Sequence, residues 1–175
     1  SLLPQYRGAA PINWALINGE KKTGVTSFLI DEKIDTGAIL LHKDCEIRKN
    51  ENVGELHDRL MLMGAELTIE TCDAIFNNKI KPRVQQNSSK LKNAPKLFKN
   101  DCKIDWSKSS LEIYNHIRGL SPYPVAWTTI ISDNESKTIK IFDADYKLLK
   151  HKKEITEIDI SKSSFKIYTK DGVIN

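Results

Sequence analysis

The sequence SLLPQYRGAAPINWALINGE (residues 1–20) joins a proline-containing loop to a short helical segment. Pro11 suits the first turn of a helix and Gly19 suits its end, so Asn13–Asn18 is predicted to be helical. Strand-like patterns follow within a few residues. The sequence therefore predicts that the first block of the chain is α/β.

Two short apolar runs, Val25–Ile30 and Ala38–Leu41, are flanked by turn-forming residues and predict two strands. The loop between them, DEKIDTG (residues 31–37), contains an Asp-Thr-Gly sequence typical of aspartic proteases. Those enzymes need two carboxylates that share one proton, so this chain would have to dimerise. It would also need a later apolar-apolar-Gly element, which we do not find. The pattern therefore favours a turn, or a site of another kind, over a protease.

A long amphipathic helix is predicted to follow the strands. Asn52 and Glu55 have the spacing of a capping box, in which each side chain accepts a hydrogen bond from the other residue's backbone. Apolar residues then recur every three to four positions up to Ala74 or Ile75. We expect this helix to end near Phe76.

The last block differs in kind from the first. A short helix at Leu111–Arg118 is predicted, and the sequence GLSPYP then breaks the chain. Four strand-like runs follow, namely VAWTTII (125–131), TIKIFDADY (138–146), EITEIDI (154–160) and SFKIYT (164–169). A turn is predicted at Lys170–Gly172. This order predicts a small β-barrel or sandwich, and we expect it to be incomplete at residue 175.

The composition excludes several classes of protein. Of the 175 residues, 39% are hydrophobic and 29% are charged, as in globular proteins that bury a core. No apolar run is long enough to span a membrane and no secretory leader is recognisable, so we expect a cytoplasmic protein with no membrane partner. Cys45, Cys72 and Cys102 lie far apart without a ligand pattern, so we expect neither disulfides nor a metal site.

Positive charge is concentrated in the middle of the chain. Residues 79–108 carry nine basic and two acidic side chains, whereas residues 1–78 carry eight and twelve. The middle segment lacks apolar periodicity and contains Pro82 and Pro95, which are features of a linker. It is either a solvated tether or a strap that contacts the phosphates of a nucleic acid. On the second interpretation the nucleic-acid-binding residues are Lys90, Lys92, Lys96 and Lys99.

Three stretches together resemble the folate-dependent formyltransferases. That family has an Asn-x-His-Pro-Ser-Leu-Leu-Pro signature followed by an Asp-x-x-x-Asp-x-Gly loop, and this sequence has SLLP at residues 1–4 and DEKIDTG at residues 31–37. The stretch RGAAPINWALINGE is similar to the branch that includes methionyl-tRNA formyltransferase. The stretch KIDWSKSSLEIYNHIRGLSPYPVAW resembles the junction between the two domains of that tRNA enzyme.

The resemblance implies a fold as well as an activity. The fold would be the C-terminal part of a Rossmann-like formyltransferase domain (residues 1–88), a basic linker (89–107) and the start of an OB-like β-barrel (108–175). The activity would be formyl transfer from 10-formyltetrahydrofolate, without a metal, to the methionine amino group of initiator methionyl-tRNA. The family's Asn and His would precede Ser1, so we expect a fragment that is inactive alone. We also expect a monomer.

Site residues follow from the same resemblance. Asp35 matches the family's catalytic Asp, which holds the His and an ordered water during proton transfer. Asp31 shapes the same loop. Together with Ser1, Leu2, Leu3 and Pro4, which match the loop that lines the folate site, Asp31 is expected to bind the formyl donor.

Two other functions remain open at this point. One is a folate-dependent formyltransferase that acts on an amino sugar or another small amine, in which case the basic linker would be accidental. The other is a non-catalytic module that binds nucleic acid through the linker and the barrel, with the α/β part as a scaffold. Loss of tRNA binding would favour the first, and an upstream Asn-x-His-Pro segment would count against the second.

Overall fold

The computed structural model describes residues 1–86, 88–132, 135–161 and 164–175. The first region contains β1 (Arg7–Gly8), α1 (Pro11–Ile17), β2 (Lys22–Phe28), β3 (Ile39–Glu46) and α2 (Val53–Phe76). The middle contains β4 (Asn93–Ala94) and a 3₁₀ turn (Lys99–Cys102). The last region contains α3 (Ser110–Leu120), β5 (Ala126–Ser132), β6 (Glu135–Ile141), β7 (Tyr146–Leu148), β8 (Ile158–Ile160), β9 (Phe165–Thr169) and β10 (Gly172–Ile174). Within the described ranges, no helix is both long enough and apolar enough to cross a membrane.

Strands β2 and β3 form an antiparallel hairpin on which α2 packs. The two predicted strands exist, but β2 starts three residues before Val25 and β3 continues to Glu46. The sequence pattern missed the end of β3 because its half-buried positions alternate with exposed polar residues such as His42 and Asp44. A hydrogen bond of 2.8 Å between the hydroxyls of Ser27 and Thr71 joins the hairpin to the helix.

Helix α2 begins and ends where the sequence predicts. The Asn52 side chain accepts from the Glu55 backbone at 3.0 Å, and the Glu55 carboxylate accepts from the Asn52 backbone at 2.9 Å. The buried face consists of Val53, Leu56, Leu60, Leu67 and Thr71. Of the two residues predicted to end the apolar stripe, Ala74 is half-buried, whereas the Ile75 side chain is exposed in the final turn of the helix.

The basic middle segment is more ordered than its composition predicts. Strand β4 pairs in parallel with β1, and the Trp14 indole donates to the Pro95 carbonyl at 2.8 Å. Gly8 has a φ of +129°, and a Cβ at this position would lie 2.3 Å from the Ala94 carbonyl oxygen. Only glycine allows this approach of the two backbones. The segment is therefore fixed against the first region at residues 93–95.

The last region contains helix α3 and two antiparallel sheets. Helix α3 extends the predicted range of Leu111–Arg118 by one residue at its start and two at its end. Strands β5 and β6 pair with each other, and the second sheet has the order β7-β10-β9-β8. The predicted turn at Lys170–Gly172 separates β9 from β10, which pair as a hairpin.

Two strand predictions in this region are wrong in extent. The run at residues 138–146 is not one strand, because β6 ends at Ile141 and β7 begins at Tyr146. Between them the Asp143 carboxylate accepts from the Ala144 backbone at 2.9 Å, which turns the chain. In the run at residues 154–160 only Ile158–Ile160 is extended. Neither turn contains glycine or proline, so the sequence lacks the usual marker of a break in a strand.

The first and last regions meet at a junction between α1 and α3. Gly119 allows the close approach, since a Cβ there would lie 2.7 Å from Ile17 Cγ1. Arg118 is only 8% exposed, and its guanidinium donates to the backbone carbonyls of Glu51 at 3.2 Å and Arg48 at 3.4 Å. Burial lowers the pKa of Arg118 from its usual value. This side chain links α3 to the loop that precedes α2.

Candidate active site

The centre of the candidate site is Asp35, in the loop between β2 and β3. Its backbone adopts a left-handed conformation with a φ of +56°, and its side chain is half-buried. The Gly8 backbone N–H donates to Asp35 Oδ2 at 2.9 Å. The carboxylate is therefore held against β1, in an orientation that leaves its other oxygen free of that contact.

Gln85 fixes the Asp35 loop from the other side. Its buried amide nitrogen donates to the carbonyls of Asp35 at 2.9 Å and Gly37 at 2.7 Å. Its amide oxygen accepts from Arg7 Nη2 at 2.7 Å. Sequence reasoning missed Gln85 because it lies in a polar segment with no periodicity, and nothing local distinguishes it from the neighbouring Gln86. Its role depends on contacts with residues far away in the chain.

Replacing Gln85 with leucine should loosen this loop. The change removes the donor to two carbonyls and one acceptor of Arg7, so we expect a loss of about 2 kcal/mol in the free energy of unfolding. Hydrogen exchange in residues 31–37 should accelerate as well. The exposed Gln86→Leu is the matched control and should change neither quantity. Equal behaviour of the two variants would contradict the role of Gln85.

Asp31 shapes the start of the same loop. Its Oδ1 accepts from the Thr36 hydroxyl at 2.7 Å and from the Lys33 backbone at 3.0 Å. The side chain is exposed, and its hydrogen bonds remain within the loop. This geometry agrees with a shaping role for Asp31, while its contact with a formyl donor stays a prediction.

The segment Ser1–Pro4 lies against the edge of β2. The Thr26 hydroxyl donates to the Ser1 carbonyl at 2.8 Å and accepts from the Leu3 backbone at 3.2 Å. Leu2 packs over Gly24, where a Cβ would lie 2.7 Å from Leu2 Cδ2. All four residues of the segment are half-buried. They can therefore form the apolar wall of a binding site, as their sequence suggests.

Hydrogen bonds connect Ser1 to the Asp35 loop. The Ser1 hydroxyl donates to the Tyr6 carbonyl at 3.4 Å, and Gly8, two residues after Tyr6, donates to Asp35 at 2.9 Å. The structure thus brings the first site segment and the Asp35 loop together, although they are far apart in sequence. Asp31 lies in the same loop, and its side chain is exposed.

A cleft of about 470 Å³ borders this loop. It is lined by Arg7, Asp31, Glu32, Lys33, Thr36, Val84 and Gln85. Val84 is 87% exposed, and Ile34 on the loop is 78% exposed, so apolar groups flank the charged ones. Among the residues that the structure describes, no group of three His, Cys, Asp or Glu could hold a metal ion. The cleft suits an organic ligand with both apolar and polar parts.

The four predicted nucleic-acid-binding lysines are not equivalent. Lys92 Nζ lies 2.5 Å from a Glu20 carboxylate oxygen, and this hydrogen bond raises the pKa of Lys92. Burial raises the pKa of Glu20, but hydrogen bonds from Lys92 and Tyr6 outweigh it and the net pKa is lowered. Lys90, Lys96 and Lys99 are exposed. Within the described ranges, Lys92 is the member of the set that forms an ion pair with a carboxylate.

Protein-family models match both regions of the chain. The model described as "Formyl transferase" matches residues 1–72, which include Asp35, and the model "Formyl transferase, C-terminal domain" matches residues 96–175. The chain belongs to the formyl transferase family. The Asp-Thr-Gly sequence at residues 35–37 is thus part of a formyltransferase region, and the protease interpretation is wrong.

Curated relatives of this formyltransferase chain extend the match. It is 49% identical over 174 residues to a methionyl-tRNA formyltransferase of Flavobacterium psychrophilum, and 51% identical over 174 residues to that of Flavobacterium johnsoniae. Each alignment covers 99% of this chain and 55% of the relative. The chain therefore spans about half the length of these relatives.

Solved formyltransferase structures share the fold. An N-formyltransferase from Helicobacter canadensis, in complex with folinic acid and dTDP-3-aminofucose, is 25% identical with a TM-score of 0.77. The match covers 98% of this chain and 61% of that one. HypX from Aquifex aeolicus, in complex with tetrahydrofolic acid, is 19% identical with a TM-score of 0.70, which shows a shared fold alone. It covers 98% of this chain and 29% of that one.

Proposed function

We propose that the complete protein transfers a formyl group from 10-formyltetrahydrofolate to the methionine amino group of initiator methionyl-tRNA. The observation that carries the proposal is the identity of about half of all residues with methionyl-tRNA formyltransferases along 99% of the chain. This match includes the C-terminal region and the basic segment. The hydrogen bonds that connect Ser1 to Tyr6 and Gly8 to Asp35 support the same conclusion, since they join the two parts of the family signature.

The reaction needs a base for the proton that leaves the attacking amine and a donor for the developing oxyanion. We propose that Asp35 holds a histidine that the family pattern places two positions before Ser1. The hydrogen bond from Gly8 fixes one oxygen of Asp35, so the other can orient that imidazole. As the histidine gains a proton, the carboxylate stabilises the positive charge. Asp35 thus acts as an anion throughout the reaction.

We also propose that the formyl donor contacts Ser1–Pro4 and the Asp31 side of the loop. The half-buried Leu2 and Leu3 offer apolar surface, and the neighbouring cleft of about 470 Å³ has room for part of an organic ligand. The residues present fit one wall of a folate site. As a cosubstrate, the folate supplies the activated formyl group, and these residues orient it and limit access of water.

The C-terminal strands support a finer proposal about the fold. We infer that they belong to an OB-like barrel, and that the first region belongs to a Rossmann-like domain. An apolar cavity of about 320 Å³ separates β5–β6 from the sheet that contains β8, β9 and β10. Two antiparallel sheets that face one core are expected of a small barrel. Aminoacylated tRNA is made and used in the cytoplasm, so we propose that the protein is cytoplasmic. We also propose that it is a monomer.

A second candidate function is formyl transfer to an amino sugar. It is favoured by the structural likeness to the Helicobacter canadensis enzyme, which is complexed with dTDP-3-aminofucose. The decisive experiment supplies the complete protein and 10-formyltetrahydrofolate with either methionyl-tRNA or a dTDP-amino sugar. We expect formyl-methionine to form and no formylated sugar. The opposite result would establish the second candidate.

The basic segment supplies a separate prediction. If Lys90, Lys92, Lys96 and Lys99 contact phosphates, the logarithm of the tRNA association constant should fall with the logarithm of salt concentration by about 0.7 to 0.9 per neutralised phosphate. Replacing all four with alanine should flatten this slope by about three units, since each contact contributes slightly less than one. A salt titration of tRNA binding measures this, and an unchanged slope would make the segment a tether.

A single variant refines that test. Because Lys92 is paired with Glu20, Lys92→Ala alone should change the salt slope less than Lys96→Ala or Lys99→Ala. An equal or larger change would mean that the tRNA displaces the ion pair with Glu20.

A further inference from the structure

Aromatic rings and lysines share one exposed surface around the 3₁₀ turn. Phe98 is 63% exposed, and Lys96 Nζ lies 5.6 Å from the centre of its ring. Trp127 is half-buried, with the ammonium groups of Lys99 and Lys103 at 5.8 and 5.5 Å from its ring centre. We call these five residues the lysine–aromatic patch. Lys96 and Lys99 belong to the set of lysines predicted from the sequence to bind nucleic acid, whereas neither ring was predicted to do so.

The backbone that carries Phe98 is held rigidly. The Phe98 N–H donates to Asp101 Oδ2 at 2.8 Å, and its carbonyl accepts from the Asp101 backbone at 3.0 Å and from Cys102 Sγ at 3.3 Å. The Trp127 indole donates to the Lys99 carbonyl at 2.7 Å, which fixes the turn on β5. An exposed ring on a fixed turn loses little conformational entropy when it binds a flat partner.

The charge of the patch is largely uncompensated. In the described part of the chain, none of Lys96, Lys99 and Lys103 has a carboxylate within 4.0 Å of its ammonium group. Asp101 is the nearby acid in the turn, and one of its oxygens already accepts from Phe98. Lysine is depleted in protein–protein interfaces, whereas lysines beside exposed rings are typical of surfaces that bind single-stranded nucleic acid.

The patch is also connected to the candidate site. Strand β4 pairs with β1 up to Gly8, and Gly8 donates to Asp35. The chain then passes Pro95, which is bound by Trp14, and reaches Phe98 three residues later. The patch is therefore connected to the Asp35 loop through the paired strands β1 and β4 and through the chain between Pro95 and Phe98.

We propose that Phe98 stacks on an unpaired base of a nucleic acid while Lys96, Lys99 and Lys103 contact its phosphates. The proposal deepens the proposed function and rests on it for the identity of the partner, because the unpaired base would belong to the tRNA. Phe98 recognises the face of a base rather than its edge. The contact therefore increases affinity for unpaired nucleotides without selecting their sequence.

The test compares two polyanions, an RNA that has bases and a polyphosphate that has none. Binding of the complete protein to a single-stranded RNA oligonucleotide and to inorganic polyphosphate is measured by calorimetry, for the parent and for Phe98→Leu. Stacking on one base predicts about tenfold weaker RNA binding for the variant. Polyphosphate binding should be unchanged. Phe98→Trp keeps an aromatic ring at this position, so it should bind RNA about as tightly as the parent.

Two further variants complete the design. The triple variant Lys96→Gln/Lys99→Gln/Lys103→Gln should weaken binding of both polyanions. Phe76, at the end of α2, is 84% exposed and serves as the matched aromatic control, so Phe76→Leu should change neither. Unchanged RNA binding by Phe98→Leu, or an equal loss for RNA and polyphosphate, would overturn the stacking proposal.

The outcome is independent of the proposed catalytic activity. If Phe98→Leu weakens RNA binding but the complete protein formylates no tRNA, the patch stands and the proposed function fails. If tRNA is formylated and Phe98→Leu binds RNA normally, the proposed function stands and the patch fails.

Discussion

Replacing Asp35 with asparagine in the complete protein is expected to lower the turnover of formyl transfer by at least about a hundredfold, through the loss of assisted proton transfer. Asparagine keeps an oxygen that can accept from the Gly8 backbone, and it tolerates the left-handed backbone at this position. The change therefore removes the charge and preserves the turn. Folate binding and the melting temperature should change little. Formyl transfer to methionyl-tRNA, folate binding and thermal unfolding are measured in parallel.

Asp31→Asn is the matched control for this experiment. Asp31 lies in the same loop and has the same charge, but its hydrogen bonds serve the loop itself. We expect turnover at saturating folate to remain within a few-fold of the parent, because the proposed contact of Asp31 with the formyl donor affects the affinity for folate and not proton transfer. Near-normal turnover of Asp35→Asn would return Asp35 to a role in the turn alone, and equal losses for the two variants would indicate a general effect of loop charge.

The largest effect on stability is expected at Arg118. In Arg118→Met the apolar stem is retained, but the carbonyls of Glu51 and Arg48 lose their shared donor. The Arg48 carbonyl keeps the Glu51 backbone N–H as a donor at 3.3 Å, whereas the Glu51 carbonyl and Asn115 Oδ1, both in buried residues, lose the donors from Arg118. Buried acceptors that lose a donor are costly, so we expect the free energy of unfolding to fall by about 3 kcal/mol. Because Arg118 joins the first and last regions, their unfolding transitions should separate. Denaturant unfolding followed by tryptophan fluorescence and by circular dichroism would show this separation.

Arg48→Met provides the comparison. Its side chain is exposed, and the structure uses its backbone carbonyl rather than its guanidinium at the junction. A surface substitution of this kind should change the free energy of unfolding by no more than about 0.5 kcal/mol. If Arg118→Met is equally mild, the junction depends on the packing of α1 against α3 and not on the guanidinium.

Features with a local cause could be predicted from the sequence. Helix α2 was predicted correctly at both ends because its capping box and its apolar period lie in adjacent residues. The turn before Gly172 and the Asp35 loop were visible for the same reason, since their residue types are required by the backbone. The family resemblance predicts a catalytic role for Asp35 in this loop. The matches to formyltransferase models confirm the family.

Features with a tertiary cause could not be predicted. Gln85 is recognisable only once its amide is seen to hold Asp35 and Gly37, which lie about fifty residues earlier in the chain. The pairing of β4 with β1 involves only two residues on each strand and carries no pattern. No glycine or proline separates β6 from β7, so the sequence does not mark the turn near Asp143.

The pairing of β1 with β4 has a consequence for how this protein can be divided into pieces. A fragment that stopped at residue 88 would lose the strand beside Arg7 and Gly8 and the acceptor of the Trp14 indole. The freed edge of β1 would then offer unpaired backbone groups to other chains. An expression fragment of the first region should therefore extend through Pro95. The sequence predicts that the first region ends at residue 88, but residues 93–95 still pack on that region.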